Sequence, residues 1–319
     1  MAKTPLLTAR LNRIEYGARE INLYHFGSAH GDALPGAEPG AHIDVIINDT
    51  YTRQYSLINS GDVLDEYIIG VRCDLNGRGG SRALHETSVV GNLYTLSEPR
   101  NNFPLVADDG PVALLAGGIG ITPLINMYRT LSRLGRPVDL YYWARTSDDF
   151  VFFTELESQS NVRLVETGDT PGGSLGIGEV VAATSPDAHL YCCGPSPMLD
   201  AFTAASADRA PERVHLERFS AVVSIGPRQP NEGFKVTLAR SGTVLDVPVD
   251  QTILETCLAE GIDVDYSCEE GTCGACEVKV LSGAVSHCDA VKTPAEHDAG
   301  ATMAICCSRA RDGDLVLDI

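Results

Sequence analysis

The chain has 319 residues, 44% of them hydrophobic and 21% charged, the profile of an ordinary globular protein with length for two or three domains. Its net charge of −19 speaks against nucleic acid and anionic lipid as partners, since both repel such a surface. No apolar run approaches the ~20 residues of a membrane span, and the opening MAKTPLLTARLNRIEYGARE lacks the apolar core and cleavage site of a secretory signal. The expectation is a cytoplasmic protein, and in that reducing compartment ten cysteines argue for metal or redox use rather than disulfides.

Residues 6–107 carry short strand-like segments (INLYHF, AHIDVII, RQYSLI, EYIIGVRC, NLYTLSEP) separated by turn signals, an all-β pattern suited to a small barrel. Within RQYSLI stand Arg53, Gln54, Tyr55 and Ser56. A guanidinium forks onto a phosphate, an aromatic ring packs on a flat heterocycle, and a hydroxyl can reach a ring nitrogen. Taken alone, Arg53 reads as a surface cation and Tyr55 as barrel core. NGRGGSRALHE then places Gly79, Gly80 and Ser81 where a helix begins, a position at which backbone amides meet a phosphate.

PVALLAGGIGITPLINMYRTLSRLG opens on the continuous apolar run Val112 to Ala116, as a buried parallel strand does. Gly117, Gly118 and Gly120 follow, and Thr122-Pro123 opens a helix whose periodic face carries Leu124, Ile125, Tyr128, Leu131 and Leu134. The glycines let a pyrophosphate approach the amides at that helix start, although packing alone also produces such turns. RPVDLYYWART and VRLVET read as strands, DDFVFFTELESQ as a helix, and HLYCCGPSPMLDAFTAAS as strand, turn and helix. This alternation implies a parallel sheet with ligands at the carboxyl ends of its strands. SAVVSIGPRQPNEG, bearing Gly, Pro and Ser, reads as a linker, set at residues 223–232.

Beyond the linker, FKVTLARSGTVLDVPVD reads as two strands about Ser241-Gly242, and QTILETCLAEGI as a short amphipathic helix with Ile253, Leu254, Cys257 and Leu258 on its apolar face. CEVKVLSGAVSH reads as a further hairpin and DLVLDI as a closing strand. Between them the cysteines run Cys268-x4-Cys273-x2-Cys276, with Cys306 and Cys307 thirty residues on. Disulfides, zinc and an iron–sulfur cluster are the three candidates. Structural zinc pairs its ligands as C-x2-4-C with a second pair. The spacing found here is the plant-type [2Fe–2S] one, in which a tight loop converges on two irons and a distant segment completes the set. Gly271, Gly274 and Ala275 are small enough for that loop to wrap closely. Cys288 follows His287, but no partner stands at metal-ligand spacing, so both Cys288 and Cys257 read as structural.

This C-terminal segment resembles plant-type ferredoxins, which implies a β-grasp domain. The ending CCSRA is similar to the CxSRA of reductase-linked ferredoxin domains, which implies Cys306 as the fourth ligand beside Cys268, Cys273 and Cys276. GGIGITP and CGPSPM are similar to the nicotinamide-side motifs of the ferredoxin–NADP reductase superfamily. That likeness implies that Gly117, Gly118, Gly120 and Thr122 face the cofactor, as do Cys193, Gly194 and Pro195, with Arg145 near the adenosine. Asp148 and Asp149 beside it disfavour a 2′-phosphate and favour NADH.

The RxYS of Arg53, Tyr55 and Ser56 resembles the flavin domain of the same superfamily, with Gln54 in a position that commonly holds Thr, and Val71 and Arg72 join the flavin-facing set. The compact GRGGS loop is similar to that of the FMN reductases of the phthalate dioxygenase reductase family rather than the FAD members, and HLERFS implies Phe219 as an aromatic against the flavin. Ser56, Cys193 and Phe219 are then the residues that orient the reacting groups.

The chain as a whole resembles the phthalate dioxygenase and vanillate demethylase reductases. The implied architecture is a flavin-binding antiparallel β-barrel over residues 1–107 and an α/β NAD domain over 108–222. A β-grasp ferredoxin domain over 233–319 completes it. The implied activity is electron flow from NADH through FMN to the cluster and on to a Rieske-type terminal oxygenase or demethylase. That last transfer runs downhill, from about −400 mV to between about −150 and +300 mV. Two other readings stand beside it. One is a reductase for a different acceptor such as a diiron hydroxylase, whose members often carry the ferredoxin at the N-terminus. The other is a non-catalytic redox sensor, which would need a degraded cofactor motif.

Overall fold

The computed structural model describes residues 5–75, 77, 79–168, 175–219, 233–266, 269, 271–272, 274–292 and 294–319. The expected linker at 223–232 lies outside these residues, as do Cys268 and Cys273. The chain forms two compact units, one ending at Arg218 and one beginning at Phe219.

The first unit opens with β1 (Leu6–Ala18), β2 (Ile21–Ser28), β3 (Leu34–Ala37), β4 (His42–Ile46), β5 (Thr52–Ser56), β6 (Gly61–Leu64) and β7 (Glu66–Arg72), followed by helix α1 (Gly80–Thr87) and β8 (Leu93–Ser97). The main sheet is antiparallel in the order β5-β4-β8-β1-β2-β7, with β3 and β6 paired separately. A bridge between Leu57 and Ile69 joins the β5 and β7 edges and closes the barrel. Ile43, Val45, Leu57, Tyr67 and Ile69 fill its interior. Sequence periodicity missed β1, the longest strand. Only Ala9, Leu11 and Ala18 of its thirteen residues are buried, so no apolar run marks it.

The second half of this unit is a parallel sheet built from β9 (Val112–Gly117), β10 (Val138–Ala144), β11 (Val162–Glu166), β12 (His189–Cys193) and β13 (Val214–Glu217), in the order β11-β10-β9-β12-β13. Helices α2 (Ile121–Arg133), α3 (Phe153–Leu156), α4 (Ile177–Ala183) and α5 (Ser196–Ala205) connect its strands. Every residue of β9 is buried, as its uninterrupted apolar sequence requires of a central parallel strand. Helix α2 stops at Arg133, with Gly135 in the left-handed region at φ 69°, which leaves Leu134 exposed rather than on the buried face. The helix expected over DDFVFFTELESQ shrinks to α3. Phe152 takes φ 62°, and Phe150 and Val151 drop into the core, where the Val151 amide donates to the Tyr142 hydroxyl.

The barrel wall and the sheet meet in one shared hydrophobic cluster, beside the barrel's own interior. Ala18, Ile21, Leu23 and Ile58 of the barrel pack in the same cluster as Ile121, Leu124, Leu131 and Tyr142. Polar ties run alongside: Arg129 donates to the Ile58 carbonyl at 3.1 Å, Ser60 to Asn126 at 2.8 Å, and Arg19 to Thr146 at 2.9 Å.

The second unit contains β14 (Phe234–Leu238), β15 (Val244–Val247), α6 (Ile253–Ala259), β16 (Glu277–Ser286), α7 (Pro294–Asp298), β17 (Thr302–Ala304) and β18 (Arg309–Leu317), with the sheet ordered β15-β14-β18-β16-β17. Thr252 caps α6 in a reciprocal pair with Glu255, and Gly261 at φ 69° ends it. Ile253, Leu254 and Cys257 face the core, whereas Leu258 is exposed. CEVKVLSGAVSH is not a hairpin. It is one ten-residue strand that pairs with β17 at its start and with β18 along the rest, bending through irregular register around Gly283.

Candidate cofactor sites

At the barrel, Gly79 takes φ 84° as the cap residue of α1, and Gly80 begins the helix. A β-carbon on Gly80 would lie 2.5 Å from Arg53 Nε, so the guanidinium stem crosses the helix start where a side chain would stand. Arg53 also donates to the Thr52 carbonyl at 2.8 Å and stacks over Tyr51 with 5.3 Å to the ring centre. A cation beside the free amides of a helix start fits a phosphate. Ser81 acts on the loop instead, for its hydroxyl accepts the Asp74 amide at 3.1 Å and folds the residues ahead of the helix.

Tyr55 packs against the barrel core, and burial pushes its hydroxyl pKa up. Its oxygen and Gln54 Nε2 are buried without hydrogen-bond partners among the described residues, as polar atoms that await a bound group would be. Ser56 is buried opposite His42 in the β4–β5 register. Val71 points into the barrel core, and its carbonyl meets His85 Nε2 at 2.9 Å. Arg72 is exposed and pairs with Glu20 at 3.4 Å.

In the parallel sheet the two glycine motifs close on each other. Gly117 ends β9, Gly118 takes φ 53°, and Gly120 caps α2. A β-carbon on Gly120 would strike the Cys193 carbonyl, one on Gly117 would lie 2.7 Å from Pro195 Cδ, and one on Gly194 would lie 3.2 Å from Gly117 Cα. Side chains are excluded, so backbone amides line the carboxyl edge of the sheet. No side chain caps α2, which leaves its amides for an anion. Thr122 is buried with its hydroxyl on the Ile119 carbonyl, and its methyl reaches Gly70 of β7, where a β-carbon would lie 2.8 Å away. The nucleotide turn therefore abuts the barrel wall.

Cys193 is fully buried, and burial drives its thiol pKa well above the ordinary range. Beside it in the parallel register stands Glu217, unnoticed at the sequence level within HLERFS. Its Oε2 is buried without a hydrogen-bond partner among the described residues, and burial pushes its carboxyl pKa up to about 8. A carboxylate two positions before the expected aromatic, at the end of a short strand, was the available signal. Arg145 is exposed beyond β10. Arg19 meets both Asp148, at 3.3 Å, and Asp149, at 3.5 Å, while Asp149 also accepts the Thr146 amide. Part of the negative charge counted against a 2′-phosphate is thus offset by the barrel. Phe219, the first residue of the second unit, is 40% exposed.

In that second unit Cys276 and Cys306 are buried in the same core cluster. The neighbouring Cys276 and Cys307 thiols and the Gly271 backbone pull the Cys306 thiol pKa down. Cys307 is pushed up correspondingly by the same pair. Glu269, Gly271 and Gly274 all take left-handed backbone, at φ 54°, 69° and 71°, which coils the loop tightly. A pair of buried cysteines beside a coiled glycine loop fits an iron–sulfur cluster. Among the described residues no helix is long and apolar enough to cross a membrane.

Comparison with known proteins agrees with this layout. A family model for a 2Fe-2S iron–sulfur cluster binding domain matches residues 236–311, and one for an oxidoreductase NAD-binding domain matches residues 114–204. Phenoxybenzoate dioxygenase subunit beta of Ectopseudomonas oleovorans is 39% identical over 98% of this chain and 97% of its own. Phthalate dioxygenase reductase of Burkholderia cepacia is 36% identical over 95% of this chain and 94% of its own. Among solved structures, a phthalate dioxygenase reductase described as a modular structure for electron transfer from pyridine nucleotides to [2Fe-2S] superposes with a TM-score of 0.76, at 35% identity and 98% coverage of both chains. An intact type IV self-sufficient cytochrome P450 monooxygenase superposes with a TM-score of 0.85 at 35% identity, over 98% of this chain and 41% of that one.

Proposed function

The chain belongs to the oxygenase-reductase family that includes phthalate dioxygenase reductase, an NADH-dependent oxidoreductase with FMN and a [2Fe–2S] cluster, and we propose that the partner it reduces is a Rieske-type terminal oxygenase. The observation that carries the reading is the meeting of the GGIG and CGP turns against the wall of the barrel, beside the cluster that joins barrel and sheet.

Bound FMN would supply the conversion between the two-electron chemistry of NADH and the one-electron chemistry of the cluster. The residues of the chain bind and orient. Arg53 and the amides at the start of α1 would hold the FMN phosphate, and Tyr55, Ser56 and Gln54 would contact the ring, with Phe219 as a further aromatic. Gly117, Gly118 and Gly120 would admit the NADH pyrophosphate to the start of α2. Cys193, Gly194 and Pro195 would seat the nicotinamide. There the buried Cys193 thiol and Glu217 carboxyl hold their protons at neutral pH, so no anion opposes the approach of the nucleotide. Cys268, Cys273, Cys276 and Cys306 would hold the irons. A cytoplasmic setting accords with NADH as the donor.

The likeness to the reductase portion of a fused P450 favours a haem acceptor as the second reading. Anaerobic titration with NADH, followed by absorbance and low-temperature EPR, tests the electron path. Bleaching of the flavin together with a rhombic reduced-cluster signal is expected. NADH binding without cluster reduction would overturn the path and revive the sensor. Rapid mixing of the reduced protein with an oxidised Rieske oxygenase, and separately with a P450, then decides the partner. Faster oxidation by the P450 sinks the Rieske assignment.

A further inference from the structure

The fold provides partners for the His287 that the sequence left isolated. Beyond the end of β16 the chain turns so that His287 and Asp289 meet His297 of α7. His297 Nε2 lies 3.0 Å from Asp289 Oδ2, and His287 Nδ1 lies 3.8 Å from Asp289 Oδ1. One ligand atom from each of the three sits within 4.8 Å of the other two. The side chains of His287, Asp289 and His297 are 10%, 3% and 20% exposed. His287 Nδ1 and Asp289 Oδ1 are buried with no hydrogen-bond partner among the described residues, a costly condition for two facing polar atoms.

We propose that His287, Asp289 and His297 form a divalent-metal site of the zinc type, separate from the cluster cysteines. Zinc binds imidazole and carboxylate at about 2.0–2.2 Å, which sets neighbouring ligand atoms roughly 3.3 Å apart in a tetrahedron. The two measured nitrogen–oxygen separations bracket that value. The imidazoles lie stacked at 4.4 Å and 13°, so His297, the most exposed of the three, rotates to close on the ion. Two nitrogens with one carboxylate suit zinc better than calcium or magnesium, and the fourth position is left to water. The nearby Lys292 does not oppose the ion, because its ammonium is engaged by Glu277 at 2.5 Å. The Ala290 amide donates to the Gly271 carbonyl at 2.8 Å, so an ion here would brace the cluster loop from behind.

The inference is independent of the electron path, and its test uses no NADH. Holoprotein freed of loose metal is dialysed against zinc, with iron content and the visible circular dichroism of the cluster as controls. One zinc per chain is expected, unaffected by excess magnesium. Affinity should drop at least tenfold in His297→Ala and His287→Gln and hold in Cys288→Ser. Should His297→Ala lose iron, His297→Gln, which keeps a hydrogen bond to Asp289, gives the same reading. Absence of bound zinc in the wild type, or equal binding in the histidine variants, overturns the site. Loss in Cys288→Ser would transfer the zinc to a thiol and overturn it equally.

Discussion

Glu217 and Cys193 end adjacent parallel strands, and each keeps its proton because the carboxyl edge of the sheet is too dry for charge. Raising the Glu217 pKa from 4.5 to about 8 means that the folded state holds a proton that the unfolded state has released. Stability from this group is therefore fullest below pH 4.5 and is lost as pH rises towards 8. Glu217→Gln is expected to raise the melting temperature at pH 8.5, to leave it unchanged at pH 4, and to remove a break near pH 8 from the pH profile of NADH:dye reduction. Thermal melts and rates across pH measure all three. Equal melting shifts at both pH values would show that the carboxyl is solvated. Cys306→Ser should lose the cluster while keeping flavin and NADH:dye reduction, and Cys307→Ser should keep the cluster. Iron content and EPR decide, and the reverse pattern would exchange their roles.

Among the elements, the β9 turn and the β12 turn have no room for a side chain between them. Gly120→Ala would press a methyl into the Cys193 carbonyl, a backbone atom that cannot swing aside. The expected cost is about 1–3 kcal/mol in stability, as for overpacking a core, with a raised KM for NADH as the helix start shifts. Urea melts and steady-state kinetics check it; an unchanged KM would mean that the turn does not seat the nucleotide. Local rules made this turn readable in the one-dimensional sequence, because glycine, Thr-Pro and an apolar run each constrain the backbone where they stand. They failed for β1 and β16. In β1 only three of thirteen residues are buried, and β16 bends through Gly283 while remaining paired, so a glycine that signals a turn marks a bend instead.

Across the whole molecule, the barrel and the parallel sheet of the first unit are joined by a shared hydrophobic cluster, so their stabilities should be coupled. His42, buried in the barrel with Nε2 unpartnered among the described residues, has its pKa lowered to about 4 by burial and then by Arg100. His215, on the edge strand of the parallel sheet, falls to about 4, by burial and then by His189. In both, the unfolded chain takes up a proton near pH 6.5 that the folded chain refuses until about pH 4. Stability is thus present above 6.5 and drains away as pH falls through that window, with His42 alone contributing about 3 kcal/mol. The melting temperature of the first unit, isolated as flavoprotein absorbance in the full chain, should fall between pH 7 and pH 4.5. Its flavin-release and helix-loss transitions should coincide. In His42→Gln the fall should shrink; an unaltered fall would remove His42 as its source.

The sequence by itself determined the module order, the glycine turns proposed to meet the cofactors and the cluster chemistry. Each of these rests on residues near one another along the chain: C-x4-C-x2-C, GGIG, CGP and GRGGS are local constraints on backbone and ligand geometry. The tertiary structure alone decided which distant groups meet and how dry their surroundings are. Burial of Glu217 beside Cys193, the Arg19 charge offsetting Asp148, and the gathering of His287, Asp289 and His297 all depend on separate segments packing together. No periodicity encodes them, because a pKa or a metal site is a property of neighbours in space, and chain folding, not spacing in sequence, sets those neighbours.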